Sequence, residues 1–286
     1  MATLPLFCCE DRRGAFIDVF RRSAEATGHD LRLFAPRAVP PADFAMLVAH
    51  YHHLSPNPAA FELAVFRRYF EVRDAIVGTG VRRFVIADSD LLLLGSPAEL
   101  PAAWRDSDAV VGSIGVTAGV AETDISPHFS CWTPALLGAF CDFVVRTYRD
   151  DIDQLRSIHA ARIAARQPLV SISDMTLLAL WVAADAVPFI DSNRVIDGRY
   201  LDHNIGMAAC AGTVFDHRLG RKSLSFDGGS IALRTTAGAV VRPLLLHFVG
   251  RNKRAMAAVE ARSRSRLAAH TLTLAAARGV RTLVRR

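Results

Sequence analysis

The sequence predicts an α/β fold with a mostly parallel mixed sheet flanked by helices. Three observations carry this. Short apolar runs of strand type alternate along the chain with longer segments of helical spacing, the pattern of βαβ units. Hydrophobic residues make up 51% of the 286 residues, enough for one large buried core. No internal repeat or low-complexity tract interrupts the alternation, which argues against solenoids and disordered chains.

The elements follow in order. Residues 4–9, ending in Leu6-Phe7-Cys8-Cys9, read as a buried strand. They lack a basic leader, and Glu10-Asp11-Arg12-Arg13 follow at once, so a first strand is expected there rather than a signal peptide. Phe16, Val19, Phe20 and Ala24 recur at helical spacing, and Gly28 stops that helix. Residues 30–34 form a second strand, and residues 35–58, rich in proline and histidine, read as loop. Phe61, Val65, Tyr69, Val72 and Ile76 mark a helix over residues 59–77, ended by Gly78-Thr79-Gly80. Residues 82–87 are the next strand and residues 109–113 another. Helical patterns cover residues 133–148 and 174–184, and residues 244–249 are a late apolar strand carrying His247. Beyond Gly250 the composition turns Ala/Leu/Arg-rich, and a basic helix is expected over residues 255–284.

This divides the chain into a domain over residues 1–250 and a basic helical extension over 251–286. The extension holds ten Lys/Arg and one acid, Glu260, so it carries +9 of a net +6 and leaves the body at −3. A slightly acidic body argues against a nucleic-acid partner, whose binders carry their basic residues on the folded core. The tail itself reads either as an interfacial helix drawn to anionic lipid or as a solvated basic helix packed on the body. No run approaches eighteen apolar residues, so no transmembrane helix is expected. Cys8, Cys9, Cys131, Cys141 and Cys210 form no C-x-x-C pair; they read as reduced thiols of a cytoplasmic protein, and zinc is disfavoured.

The chemistry centres on Asp88-Ser89-Asp90, which follows the apolar run Phe84-Val85-Ile86-Ala87. On an extended backbone, carboxylates two residues apart point to one face. At the carboxyl end of a buried strand they meet the crevice where α/β sheets bind ligands. Such a pair can share a hard divalent cation, which can neutralise a diphosphate. Alone, the motif is equally a strand-to-loop turn with two solvated acids. Three segments add to it. In Leu246-His247-Phe248-Val249-Gly250-Arg251-Asn252-Lys253, His247 can supply a nitrogen ligand, Gly250 close backbone approach, and Lys253 a point charge for phosphate. Asp174, in Ser173-Asp174-Met175, opens a helix and is either a cap or a carboxylate aimed at substrate. Arg68, one helix before the acids, is either a surface arginine or reaches the crevice.

The order Arg68, Phe-Val-Ile-Ala-Asp-Ser-Asp, Ser-Asp-Met, then Leu-His-Phe-Val-Gly-Arg-Asn-Lys resembles the GT-A glycosyltransferases, most closely the family 8 type with its late His-x-x-Gly-x-x-Lys motif. Phe129-Ser130-Cys131-Trp132-Thr133 resembles a related bacterial branch. The matching strings cover about a quarter of the chain. The resemblance implies a Rossmann-like GT-A fold, Mn²⁺ or Mg²⁺, and a nucleoside-diphosphate sugar donor, UDP-linked by that analogy. It implies Asp88, Asp90 and His247 as metal ligands, with Asp88 also near the ribose. Gly250 and Lys253 would hold the diphosphate, Arg68 would face the nucleotide, Asp174 would lie near the transferred sugar, and Asn204 would be a weaker sugar contact. The acceptor would be a glycan or lipid-linked glycan, and the tail would suit a peripheral position at the inner face of a membrane. The chain departs from the family pattern at Arg254, where proline often follows the motif lysine, at Met175, where glutamine is common, and at Cys8-Cys9-Glu10-Asp11, where the family usually offers a small residue and an Asp to the base. A nucleotidyltransferase, which would release pyrophosphate, and a non-catalytic nucleotide-sugar or glycan-binding protein are the competing readings.

Overall fold

Alternation along each strand sorts the apolar residues into two cores. In the computed structural model, which describes residues 4–115, 124–167, 170–227 and 230–261, the chain opens with β1 (Leu6–Cys9), α1 (Ala15–Ala26) and β2 (Leu31–Phe34). Then come α2 (Ala42–His50), α3 (Ala59–Ile76), β3 (Phe84–Ala87), β4 (Leu91–Leu93), α4 (Ala102–Arg105) and β5 (Val110–Ile114). β6 (Ile125–Trp132) leads to α5 (Pro134–Asp150), α6 (Ile152–Ala164), α7 (Asp174–Ala184), β7 (Phe189–Asp191) and β8 (Arg199–Leu201). Two short ladders follow, β9 (Ala209–Cys210) with β10 (Thr213–Val214) and β11 (His217–Arg218) with β12 (Arg221–Lys222). β13 (Leu224–Asp227), β14 (Ser230–Arg234), β15 (Val240–His247) and α8 (Met256–Glu260) complete the series.

The main sheet has the order β2-β1-β3-β6-β5-β7. The β1–β2, β1–β3 and β5–β7 pairs are parallel, and β6 alone runs against its neighbours. Leu6, Cys8, Val85 and Ala87 point into one core with α1 and the later strands; Phe7, Phe84 and Ile86 point into the other, against α2, α3, α5 and α7. A sheet covered on both faces has no polar side, which is why its strands read as continuous apolar runs. A second sheet, β13-β14-β15-β4 with β8 alongside β15, belongs to the first core.

Several elements differ from expectation. Residues 35–58 are not all loop: α2 occupies Ala42–His50, with Phe44 and Leu47 buried one turn apart. Pro40 and Pro41 precede it, where a missing N–H does no harm to a helix start, so the prolines that suggested loop mark its entry. α6, β6 and the strands over residues 189–234 are further elements that the sequence pattern does not announce. Residues 250–255 form a 3₁₀ turn, and Ala255, Met256 and Val259 are fully buried beside α1, with Glu260 on Arg22 at 2.6 Å. The rest of the expected basic helix, residues 262–286, lies outside the described residues. The five cysteines carry no disulfide.

One packing detail predicts a pH effect. His29 joins α1 to β2, takes a 2.8 Å contact from Thr27 Oγ1, and burial pushes its imidazole down to about 4. As pH falls, the unfolded chain therefore takes up this proton before the folded one. The stability His29 confers is complete above about pH 6.5 and is lost as pH falls toward 4. Chemical denaturation of wild type and His29→Gln across this window should show a shallower loss in the variant, by at most about 3 kcal/mol. Parallel curves would refute the assignment.

Candidate metal and substrate site

The acidic pair does not lie on an extended strand, which corrects the geometric premise drawn from sequence. β3 ends at Ala87, Ser89-Asp90 form a turn, and β4 departs into the second sheet. Leaving one sheet for another forces the chain to bend, and the bend makes the two carboxylates converge. Asp88 N–H is tied to the His128 carbonyl at 2.8 Å, and Phe248 N–H donates to the Asp90 carbonyl at 2.9 Å. The antiparallel register of β15 on β4 sets His247 opposite Leu91, beside Asp90.

One oxygen of each carboxylate and a ring nitrogen of His247 consequently lie within 4.8 Å of one another. His247 Nε2 is 3.4 Å from Asp90 Oδ1 and 3.9 Å from Asp88 Oδ2. His247 Nδ1 lies 2.6 Å from the His203 carbonyl and donates to it, which leaves Nε2 toward the acids. Two carboxylate oxygens and one imidazole nitrogen are a donor set that suits Mn²⁺ or Mg²⁺, so the residues present fit the implied cation. Burial opposes ionisation of Asp90, yet His247 and Lys253 hold its carboxyl well below the usual range. Burial likewise opposes the His247 imidazolium, and Asp90 and Asp88 outweigh it, raising its pKa.

Each carboxylate also carries a protein cation. Lys253 Nζ is 3.1 Å from Asp90 Oδ2 and 5.0 Å from the centre of the Phe16 ring. Arg68 donates to Asp88 Oδ1 and, at 2.6 Å, to Asp174 Oδ2. The Tyr69 hydroxyl reaches the same Asp174 oxygen at 2.8 Å. Burial pushes the Asp174 carboxyl up, and Arg68 and Tyr69 oppose this only in part. Asp174 Oδ1 has no hydrogen-bond partner among the described residues. Arg68 is thus no surface arginine; its guanidinium links the acidic turn to the start of α7.

The fold brings Arg68, Asp88, Asp90, Asp174, His247 and Lys253 together. Gly250 sits between His247 and Lys253 with φ +60°, a conformation that favours glycine, and a side chain there would meet open space. Asn204 makes no hydrogen bond to the acids among the described residues. Its Oδ1 accepts Gly206 N–H at 2.8 Å and its carbonyl accepts Lys222 Nζ at 2.8 Å, so its visible work is to shape its own loop.

Several neighbours were not singled out from sequence. Ser89 Oγ donates to Glu10 Oε2 at 2.6 Å, fastening the acidic turn to the end of β1. The His128 ring stacks on His247, centroids 4.4 Å apart, and meets His203 edge-on at 5.7 Å. Burial, then the neighbouring His247 and His203, hold His128 neutral. Ser89 and Glu10 stand in strings already noted, though nothing in the sequence pairs them, and His128 and His203 have only isolated polar letters as a signal.

No family model and no curated protein matches the chain. Solved structures do. The galactosyltransferase LgtC in complex with donor and acceptor sugar analogs is 15% identical with a TM-score of 0.36, over 66% of this chain and 73% of that one. Mouse xyloside xylosyltransferase 1 in its apo form is 9% identical with a TM-score of 0.39, over 66% and 85%. The apo-form glycosyltransferase GlyE of Streptococcus pneumoniae TIGR4 is 12% identical with a TM-score of 0.35, over 67% of this chain and 46% of that one, less than half its length. At these values no residue role transfers from them to this chain.

Proposed function

We propose that the protein is a metal-dependent glycosyltransferase that moves a sugar from a nucleoside diphosphate, UDP by the motif resemblance, to a glycan or lipid-linked acceptor. The observation that carries this is the convergence of Asp88, Asp90 and His247 Nε2 beside Lys253 at the carboxyl end of β3. Breaking the bond to a diphosphate leaving group is difficult because negative charge develops there. A cation on Asp88, Asp90 and His247 supplies Lewis-acid stabilisation of that charge when bound. Lys253 adds a fixed positive charge, and the backbone at Gly250 leaves room for the phosphates. Arg68 holds Asp88 and Asp174 in place, and Asp174 offers Oδ1 to a hydroxyl of the transferred sugar. Asn204 is retained as a sugar contact of the neighbouring loop.

In this reading residues 1–250 are the catalytic domain and residues 251–286 the basic extension, whose first turns are fastened to α1 through Glu260 and Arg22. Among the described residues no helix is long and apolar enough to cross a membrane. The ten basic residues of 251–286 support peripheral contact with anionic lipid at the inner face of a membrane. Sedimentation with anionic vesicles should show salt-sensitive binding; equal recovery with neutral vesicles would remove that contact from the proposal.

The function is tested with a panel of UDP-, GDP- and CMP-sugars and Mn²⁺, followed by thermal shift and product analysis. One donor should raise the melting temperature only with metal, since a ligand bound to the folded form stabilises it by mass action. For a UDP- or GDP-sugar the released product should be the nucleoside diphosphate, and EDTA should stop its release. Pyrophosphate as product would replace this reading with nucleotidyl transfer, and metal-dependent binding without turnover would leave a binding protein.

A further inference from the structure

Twenty residues apart in sequence, Asp202 and Lys222 meet as an ion pair with no solvent exposure on either side chain, Nζ to Oδ1 2.7 Å. The aromatic rings of Tyr200 and Phe215 lie 5.6 and 5.3 Å from the ammonium. Such a pair is poor evidence for stability, because desolvation offsets most of its attraction and apolar residues of similar volume often do as well. A reason for it is visible in what else the two groups hold. Asp202 uses its second oxygen, Oδ2, to accept the backbone N–H of His247 at 3.1 Å. Lys222 Nζ also donates to the Asn204 carbonyl at 2.8 Å, and Lys222 N–H donates to the Ile205 carbonyl at 2.7 Å. Ile205 N–H in turn donates to the His247 carbonyl at 3.0 Å. Between these anchors lies the His203 carbonyl, the acceptor of His247 Nδ1–H.

We propose that the buried Asp202–Lys222 pair is the positioning device for His247: it fixes residues 202–205 against β15 so that the His203 carbonyl keeps the proton on Nδ1 and Nε2 stays turned to Asp88 and Asp90. Lys222 touches neither acid and is a positioning residue, not a catalytic one. The backbone N–H of His247 is held by Asp202 directly, and the His203 carbonyl lies between Asp202 and Asn204, the residues that the pair anchors. Outer partners of a ligating histidine set its tautomer and ring orientation in this manner, and their loss typically lowers metal affinity about 10–100-fold.

The inference rests on the metal reading of Asp88, Asp90 and His247, and the test separates the two. In wild-type protein labelled with ¹⁵N-histidine, long-range ¹H–¹⁵N correlation should show His247 with Nδ1 protonated, before and after Mg²⁺ titration. A His247 ring with bare Nδ1 overturns the proposal, whatever the metal does. Lys222→Met alone strands a buried carboxylate, so the informative variant is D202N/K222M, which removes both charges and keeps an oxygen for His247 N–H. It should melt near wild type, exchange its His247 Nδ1 proton faster, and bind Mn²⁺, followed by electron paramagnetic resonance, about 10–100-fold more weakly. Unchanged His247 signals with wild-type Mn²⁺ affinity would overturn the proposal. Wild-type protein that binds no Mn²⁺ would sink the metal reading, while the Nδ1 signal would still report the positioning.

Discussion

Asp90→Asn should lose metal-dependent transfer by at least about 10²–10³-fold, the scale on which removal of one preorganised electrostatic group is felt. Asp90 is the sharper choice of the two acids because its surroundings serve it from both sides. His247 Nε2 faces Oδ1 at 3.4 Å and Lys253 faces Oδ2 at 3.1 Å. Those neighbours hold the carboxyl ionised against the penalty of burial, so a charged ligand stands ready at neutral pH. The amide keeps the shape and one acceptor oxygen but removes the charge that a hard cation needs. The backbone hydrogen bond from Phe248 to the Asp90 carbonyl does not depend on the side chain, so β15 should keep its place. Near-UV circular dichroism should therefore match wild type while calorimetric Mn²⁺ binding disappears. Turnover near the wild-type rate, with the fold intact, would remove Asp90 from the metal site.

What could be read in advance follows a physical division. The strings that carry the site are local: Asp88-Ser89-Asp90 after β3, His247 to Lys253 after β15, and Asp174 at the start of α7. Local strings keep their meaning whatever the rest of the chain does. The apolar runs of β1 and β3 were legible because a sheet covered on both faces demands them. β6 obeys the same demand with other letters. Ile125 to Trp132 is buried throughout, yet it contains Ser126, Pro127, His128 and Ser130. Several of its polar groups pair with one another, Ser126 with His128 Nδ1 at 3.0 Å and Trp132 Nε1 with Ser130 Oγ at 2.7 Å, and the ladder to β5 shifts register across this stretch, where Pro127 does the least damage. A pattern of hydrophobicity cannot show that bookkeeping in hydrogen bonds. The strands after β7 are two to five residues long before β15 and gain their identity only from distant partners. The same holds for Asp202 and Lys222, whose pairing no spacing rule announces.

Arg68→Met should destabilise the protein by about 3–5 kcal/mol, the range for removing one partner of a buried ion pair. The guanidinium, 12% exposed, sits between Asp88 and Asp174, and the Asp174 side chain is 7% exposed. Without Arg68, Asp174 keeps only the Tyr69 hydroxyl and stays in a site where burial raises its pKa. The carboxyl then prefers to be protonated in the folded state. A carboxylate whose folded pKa lies above its unfolded value confers full stability at low pH and loses it as pH rises through the folded value. The variant should therefore be closest to wild type in acid and weakest in mild alkali, the reverse of the trend set by His29. Urea unfolding at pH 5 and pH 8 reads this directly. Adding Asp174→Asn removes the stranded charge and should recover most of the stability at pH 8, while nucleotide-sugar binding stays impaired because Asp88 has lost the arginine that holds it. If Arg68→Met unfolds within about 1 kcal/mol of wild type at both pH values, below the loss expected for a buried pair, the guanidinium is not the link between the acidic turn and α7.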